Sequence, residues 1–144
     1  MTEFPHRYRV RARGGAEGDV ALEGEKLPTL TTAPPAEFGG PGDRWSPETL
    51  LVGAVADCLL LTFRAVARAS KVEWEELDCD VEGVLDKAEG GTRFTELRVR
   101  ARLRVPQGID TERARRALEK AERSCLVTRS LRAESHLEAE VHTG

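Results

Sequence analysis

Cys58, Cys79 and Cys125 are the residues whose types could carry reactive chemistry. A thiolate is a nucleophile and a reductant, so two thiols that meet can be oxidised to a disulfide and reduced again. Cys58 lies within the apolar run SPETLLVGAVADCLLLTF, residues 46–63. Cys125 closes a second apolar stripe formed by Ala114, Ala117, Leu118 and Ala121. Two apolar helices in one small domain pack against each other, which lets Cys58 and Cys125 meet. The competing reading makes both thiols small buried hydrophobes. Cys125 also precedes a short helical stretch at 126–132 and has Arg123 and Arg129 nearby. A thiol at a helix N-terminus beside cations has a lowered pKa. Cys79 alternates with Asp78 and Asp80 and reads as an inward-facing strand position.

Glu48 precedes Cys58 by ten residues. In one straight helix that places it about 15 Å away along the axis and rotated by roughly 80°. It then reaches a cysteine site only from a second copy of the chain or through a break near Gly53. Otherwise it is simply a favourable charge in the first helical turn. Asp57, beside Cys58, needs a partner if buried and would raise the thiol pKa. His6, His136 and His142 are scattered, and the cysteines have neither CxxC nor zinc-ligand spacing, so neither a metal nor a cofactor is expected. Trp45 either roofs a pocket or packs the helix entrance.

The elements that must position these groups follow from the pattern. Arg7–Arg13 alternates as a half-buried strand, Val20 and Leu22 begin a second ended by Gly24, and Leu27–Thr32 suggests a third. Residues 33–44, rich in proline and glycine, form a loop. Ser46 and Pro47 start a helix, one as cap and the other at its first position. Its apolar positions include Leu50, Leu51, Ala54, Val55, Cys58, Leu61, Thr62, Ala65, Val66 and Ala69, with Leu59, Leu60 and Phe63 beside them. A helix apolar nearly all round calls for burial on most sides, hence for a second copy of the chain. Strands follow at 77–83 and 97–105, joined through Gly90-Gly91, then a helix capped by Asp110 or Thr111, and a last strand from Glu134 to Val141. The row Arg98, Arg100, Arg102 and Arg104 is a solvated face opposite Asp78, Asp80 and Glu82. Strands grouped in this order predict an α+β fold with mostly antiparallel pairing in one domain, 1–144.

Composition narrows the function. With 22 basic and 25 acidic residues and 5% aromatics, the chain has no electrostatic footprint or stacking platform for nucleic acid. No run is read as long enough for a bilayer and no signal peptide is evident, so a cytoplasmic protein without membrane partners is expected.

Pro47-Glu48, Leu50-Leu51, Ala54 and Cys58, with Cys125-Leu126-Val127-Thr128-Arg129-Ser130-Leu131, resemble the two cysteine boxes of the OsmC/Ohr family. The element order agrees with that family over nearly the whole chain. The resemblance implies antiparallel sheets wrapped around two central helices in an intertwined homodimer, with sites at the subunit interface. It implies thiol-dependent reduction of organic hydroperoxides. Cys58 would form a sulfenic acid, Cys125 would resolve it, and a dithiol of lipoyl type or a small thiol would reduce the pair. Glu48 would hold an arginine that activates Cys58. That arginine's place in the first hairpin turn falls on Ala16, with Arg13 close by and Arg44 the other candidate. Leu126 stands where the family usually has proline. The rival reading is a protein of this fold that binds a small apolar ligand or thiol metabolite without peroxidase activity.

Overall fold

In the computed structural model, which describes residues 3–144, the chain divides into two compact units at Leu50. The first holds a three-stranded antiparallel meander: β1 (Arg11–Arg13), β2 (Val20–Glu23) and β3 (Leu30–Thr32). β1 is shorter than the alternation at 7–13 suggests, because β2 offers it only a few residues to pair with. Tyr8 and Val10 are 88% and 58% exposed, so the expected half-buried face is not formed within the chain. β3 starts only at Leu30, since Pro28 has no N–H for the ladder. Residues 33–44 carry one 3₁₀ turn, Ala36–Phe38. They return to β3 through a bridge between Thr32 and Trp45.

Helix α1 (Pro47–Ser70) starts as its sequence dictates. Thr49 N–H donates to Ser46 Oγ at 3.1 Å and Ser46 N–H donates to Thr49 Oγ1 at 2.8 Å, a reciprocal cap. Proline at the first helical position loses no bond there. The helix runs unbroken through Gly53. By length and composition it is apolar enough to cross a membrane, contrary to the expectation of no such run, because Asp57 and Arg64 interrupt it only singly. Core helices satisfy the same test. Its buried stripe is Val55, Leu59, Phe63 and Ala67. The Cys58 face, one residue round, is therefore not the core face that the sequence pattern favoured.

The second unit is built on a sheet ordered β4-β5-β6, from β4 (Glu76–Ala88), β5 (Gly91–Val105) and β6 (Glu134–Thr143). The β4–β5 hairpin turns at Gly90 and Gly91, whose φ of 90° and 129° only glycine adopts without strain. Gly83 lets α1 approach, since a Cβ there would lie 2.6 Å from Val52 Cγ2. Helix α2 (Thr111–Ser124) follows Asp110, which accepts from the N–H groups of Glu112 and Arg113. Because α2 crosses over before β6, β6 pairs parallel to β5. The sheet is thus mixed, where an antiparallel one was expected.

Inward residues of the sheet, such as Leu77, Val99, Leu103 and Val105, pack with Leu59, Phe63 and Leu118. Trp74 meets Phe63 edge-on with centroids 5.2 Å apart. On the outer face Arg98, Arg100 and Arg102 oppose Glu82, Asp80 and Asp78 in register, as expected. Arg100 and Arg102 form their ion pairs with Glu138 and Glu140 of β6, at 3.8 and 3.7 Å.

Candidate functional site: a thiol pair in an apolar cleft

α1 and the end of α2 deliver the two thiols. Cys58 sits mid-helix on the open side of α1, half-buried, while Cys125 is only 2% exposed at the junction of α2 with the single-turn helix α3 (Leu126–Arg129). They are close enough to interact, each shifting the other's pKa. A cleft of about 600 Å³ opens over Cys58, lined among others by Ala54, Leu61, Thr62, Ala65, Leu126 and Val127. Asp57 also lines it as an exposed residue, so it calls for no buried partner within the chain.

The two sulfurs differ electrostatically. Burial pushes the Cys58 thiol up, yet its hydrogen bonds outweigh burial. Donation from Val127 N–H, the Cys125 thiol, Thr62 and Leu126 N–H holds it below its ordinary value of 9.0. The Thr62 hydroxyl lies 3.7 Å from Cys58 Sγ. Cys125 is held above its ordinary value, first by burial and then by its hydrogen bond to Cys58 and the charge there. The Thr128 hydroxyl, donating to Cys125 Sγ at 3.3 Å, only partly offsets this. The Cys125 result reverses a sequence expectation. The N–H groups of α3 act on Cys58 and leave Cys125 raised, and Cys58 is lowered although no guanidinium contributes. Cys79 is pushed up to about 11 by burial, then by the charges of Asp78 and Cys125. It packs against the core from β4.

Arg13 ends β1 and pairs with Glu23 at 3.2 Å, its side chain well exposed. Arg44 pairs with Asp19 at 3.5 Å and Asp43 at 3.3 Å. Glu48 lies in the first turn of α1, and its Oε1 is buried without a hydrogen-bond partner among the described residues. Among the described residues no cluster of His, Cys, Asp and Glu fits a metal ion. A second cleft, of about 670 Å³, covers the charged outer face of the sheet around Arg98, Arg100 and His136. It contains no thiol.

Sequence reasoning missed Thr62, Thr128 and the N–H groups of Leu126 and Val127. The two threonines carried a usable signal, since Thr62 follows Cys58 by four residues and Thr128 follows Cys125 by three. The main-chain donors carried none, because every residue but proline has an N–H.

Residues 40–140 match the family model described as OsmC-like protein. The chain belongs to the OsmC-like family. It is 30% identical to the uncharacterized protein YmaD of Bacillus subtilis, over 96% of this chain and 97% of that one. Its fold is similar to an OsmC-like protein of unknown function from Vibrio cholerae, with a TM-score of 0.84 at 15% identity, covering 94% of this chain and 99% of the other. It is also similar to an organic hydroperoxide resistance protein, OsmC, of Legionella pneumophila. There the TM-score is 0.71 and the identity 26%, over 96% and 98% of the two chains. Resemblance to this family, expected from the two cysteine boxes, is thereby established. The α+β class is shared with these structures.

Proposed function

We propose that this OsmC-like protein is a thiol peroxidase for organic hydroperoxides. The observation that carries the reading is the closeness of two unlike thiols, one held below and one above the ordinary thiol value, at an apolar cleft. The Cys58 thiolate attacks the distal peroxide oxygen, the O–O bond breaks, and the alkoxide leaves with a proton as an alcohol. The sulfenic acid formed carries that oxygen. Cys125 attacks its sulfur, the S–O bond breaks, and hydroxide leaves as water once protonated. A dithiol then returns both cysteines to thiols through a mixed disulfide and becomes a disulfide itself.

The aliphatic lining favours alkyl or lipid hydroperoxides over hydrogen peroxide. Two copies of the chain would form the working unit. In that unit the orphaned Glu48 Oε1 would receive a guanidinium, from Arg13 or Arg44, that adds to the activation of Cys58.

The test is turnover of cumene hydroperoxide with reduced lipoamide or dithiothreitol. Cys58→Ser should abolish it, and equimolar oxidant should leave a Cys58–Cys125 disulfide within one chain. Full activity in Cys58→Ser would remove the proposal. Absence of turnover in the native protein together with saturable binding of a small apolar ligand would select the binding reading instead.

A further inference from the structure

Each sulfur of the pair has a hydroxyl of its own. Thr62 Oγ1 lies 3.7 Å from Cys58 Sγ, and the Thr128 hydroxyl donates to Cys125 Sγ at 3.3 Å. Thr128 stands three residues after Cys125, so the two side chains share one face of the turn. That turn is held at both ends. Arg129 N–H donates to the Cys125 carbonyl and Leu131 N–H to the Thr128 carbonyl, each at 3.0 Å. A β-branched side chain on a fixed turn has few rotamers, so the donor stays aimed at the sulfur.

The two sulfurs also differ in access. Among the described residues Cys58 lines the cleft and Cys125 does not, and Cys125 is 2% exposed. A reducing thiolate arriving through the cleft therefore attacks Cys58 Sγ. The disulfide bond breaks, its electron pair goes to Cys125 Sγ, and Cys125 leaves as a thiolate. The mixed disulfide stays on Cys58 until the second thiol of the reductant releases it. Charge thus develops at a buried sulfur, where a hydrogen bond to the charged form counts most. We infer that Thr128 is a positioning residue for Cys125. Its hydroxyl steadies the negative charge on this sulfur when it leaves the disulfide, and again when it attacks the sulfenic acid at Cys58. The inference deepens the peroxidase reading and rests on Cys58 and Cys125 forming its disulfide.

The disulfide can be made without peroxide, by diamide, which takes up the two electrons and two protons of the thiol pair. Its opening by dithiothreitol is then followed by timed acid quenching and peptide mapping. Thr128→Val keeps the shape and removes the donor. It should slow opening roughly three- to tenfold, the loss of one hydrogen bond to a sulfur partly charged at the transition state. Thr128→Ser keeps the hydroxyl and should retain the native rate. In the reduced protein Thr128→Val should move the pH midpoint of Cys125 alkylation upward and leave that of Cys79 in place, a split that general loosening of the turn would not give. If circular dichroism shows that Thr128→Val does not fold, Thr128→Ala takes its place. With 2-mercaptoethanol as a one-thiol probe, the trapped adduct should sit on Cys58. An unchanged opening rate in Thr128→Val, equal slowing in Thr128→Ser, an adduct on Cys125, or failure of diamide to join Cys58 to Cys125 overturns the inference. Failure of the peroxidase reading would appear separately, as absent cumene hydroperoxide turnover in a native protein whose disulfide opening still responds to Thr128→Val.

Discussion

At the residue scale, the three cysteines should separate by pH. Cys58 is lowered, so its thiolate forms first as pH rises and persists furthest as pH falls. Cys125 and Cys79 are raised and remain thiols where Cys58 is already charged. Alkylation of the reduced protein should therefore mark Cys58 first, with a rate that rises with pH and levels off below 9.0. Cys79 should react last, with a rate still climbing near pH 11. Peptide mapping after timed quenching reads all three, and equal rates would show that the sulfurs are not electrostatically distinct. The sign follows from the balance at each sulfur: donors exceed burial at Cys58, and burial exceeds donors at the other two.

At the element scale, most of the architecture could be read from the chain because each element has its own local signal. Ser46-Pro47 and Asp110 announce helix starts, Gly90-Gly91 announces a hairpin, and the arginine row announces β5. What could not be read is set by contacts between elements. The core stripe of α1 is Val55, Leu59, Phe63 and Ala67, yet periodicity on an almost wholly apolar helix does not say which stripe faces the sheet. Likewise the parallel pairing of β6 follows from where α2 lands, not from the strand's own alternation. The thiol pair was foreseeable as a pair, whereas its polarity was not, because main-chain donors at α3 decide it. The cap of α2 gives a prediction at this scale. Asp110 satisfies two N–H groups of the helix that carries Cys125 to its end. Asp110→Ala should cost about 1 kcal/mol, measured as a lower urea midpoint with unchanged slope. A midpoint equal to that of the native chain would mean that water serves those N–H groups as well as the carboxylate does.

At the scale of the whole molecule, the open face of α1 is the dominant fact. Leu61 is 48% exposed in the middle of an otherwise apolar helix, and Tyr8, Val10, Leu27 and Phe38 are exposed as well. A small chain that leaves this much large apolar surface in water loses the hydrophobic gain that folding depends on. A second copy is the simplest cover, because the same open surface is then used by both chains. It would also supply donors to the buried Oε1 of Glu48, which has no partner within its own chain among the described residues. Sedimentation equilibrium at micromolar concentration should return twice the 15.9 kDa of one chain. Leu61→Lys places a charge on the face to be covered, and its desolvation penalty should shift the equilibrium toward single chains. Leu77→Ala, inside the sheet core of one chain, should instead lower stability by about 2–5 kcal/mol as core truncations do, with the association of the folded chains retained. A monomer in the native protein would end the two-copy reading and leave Glu48 without a source for its partner. A dimer that resists Leu61→Lys would place the interface elsewhere than on this face of α1.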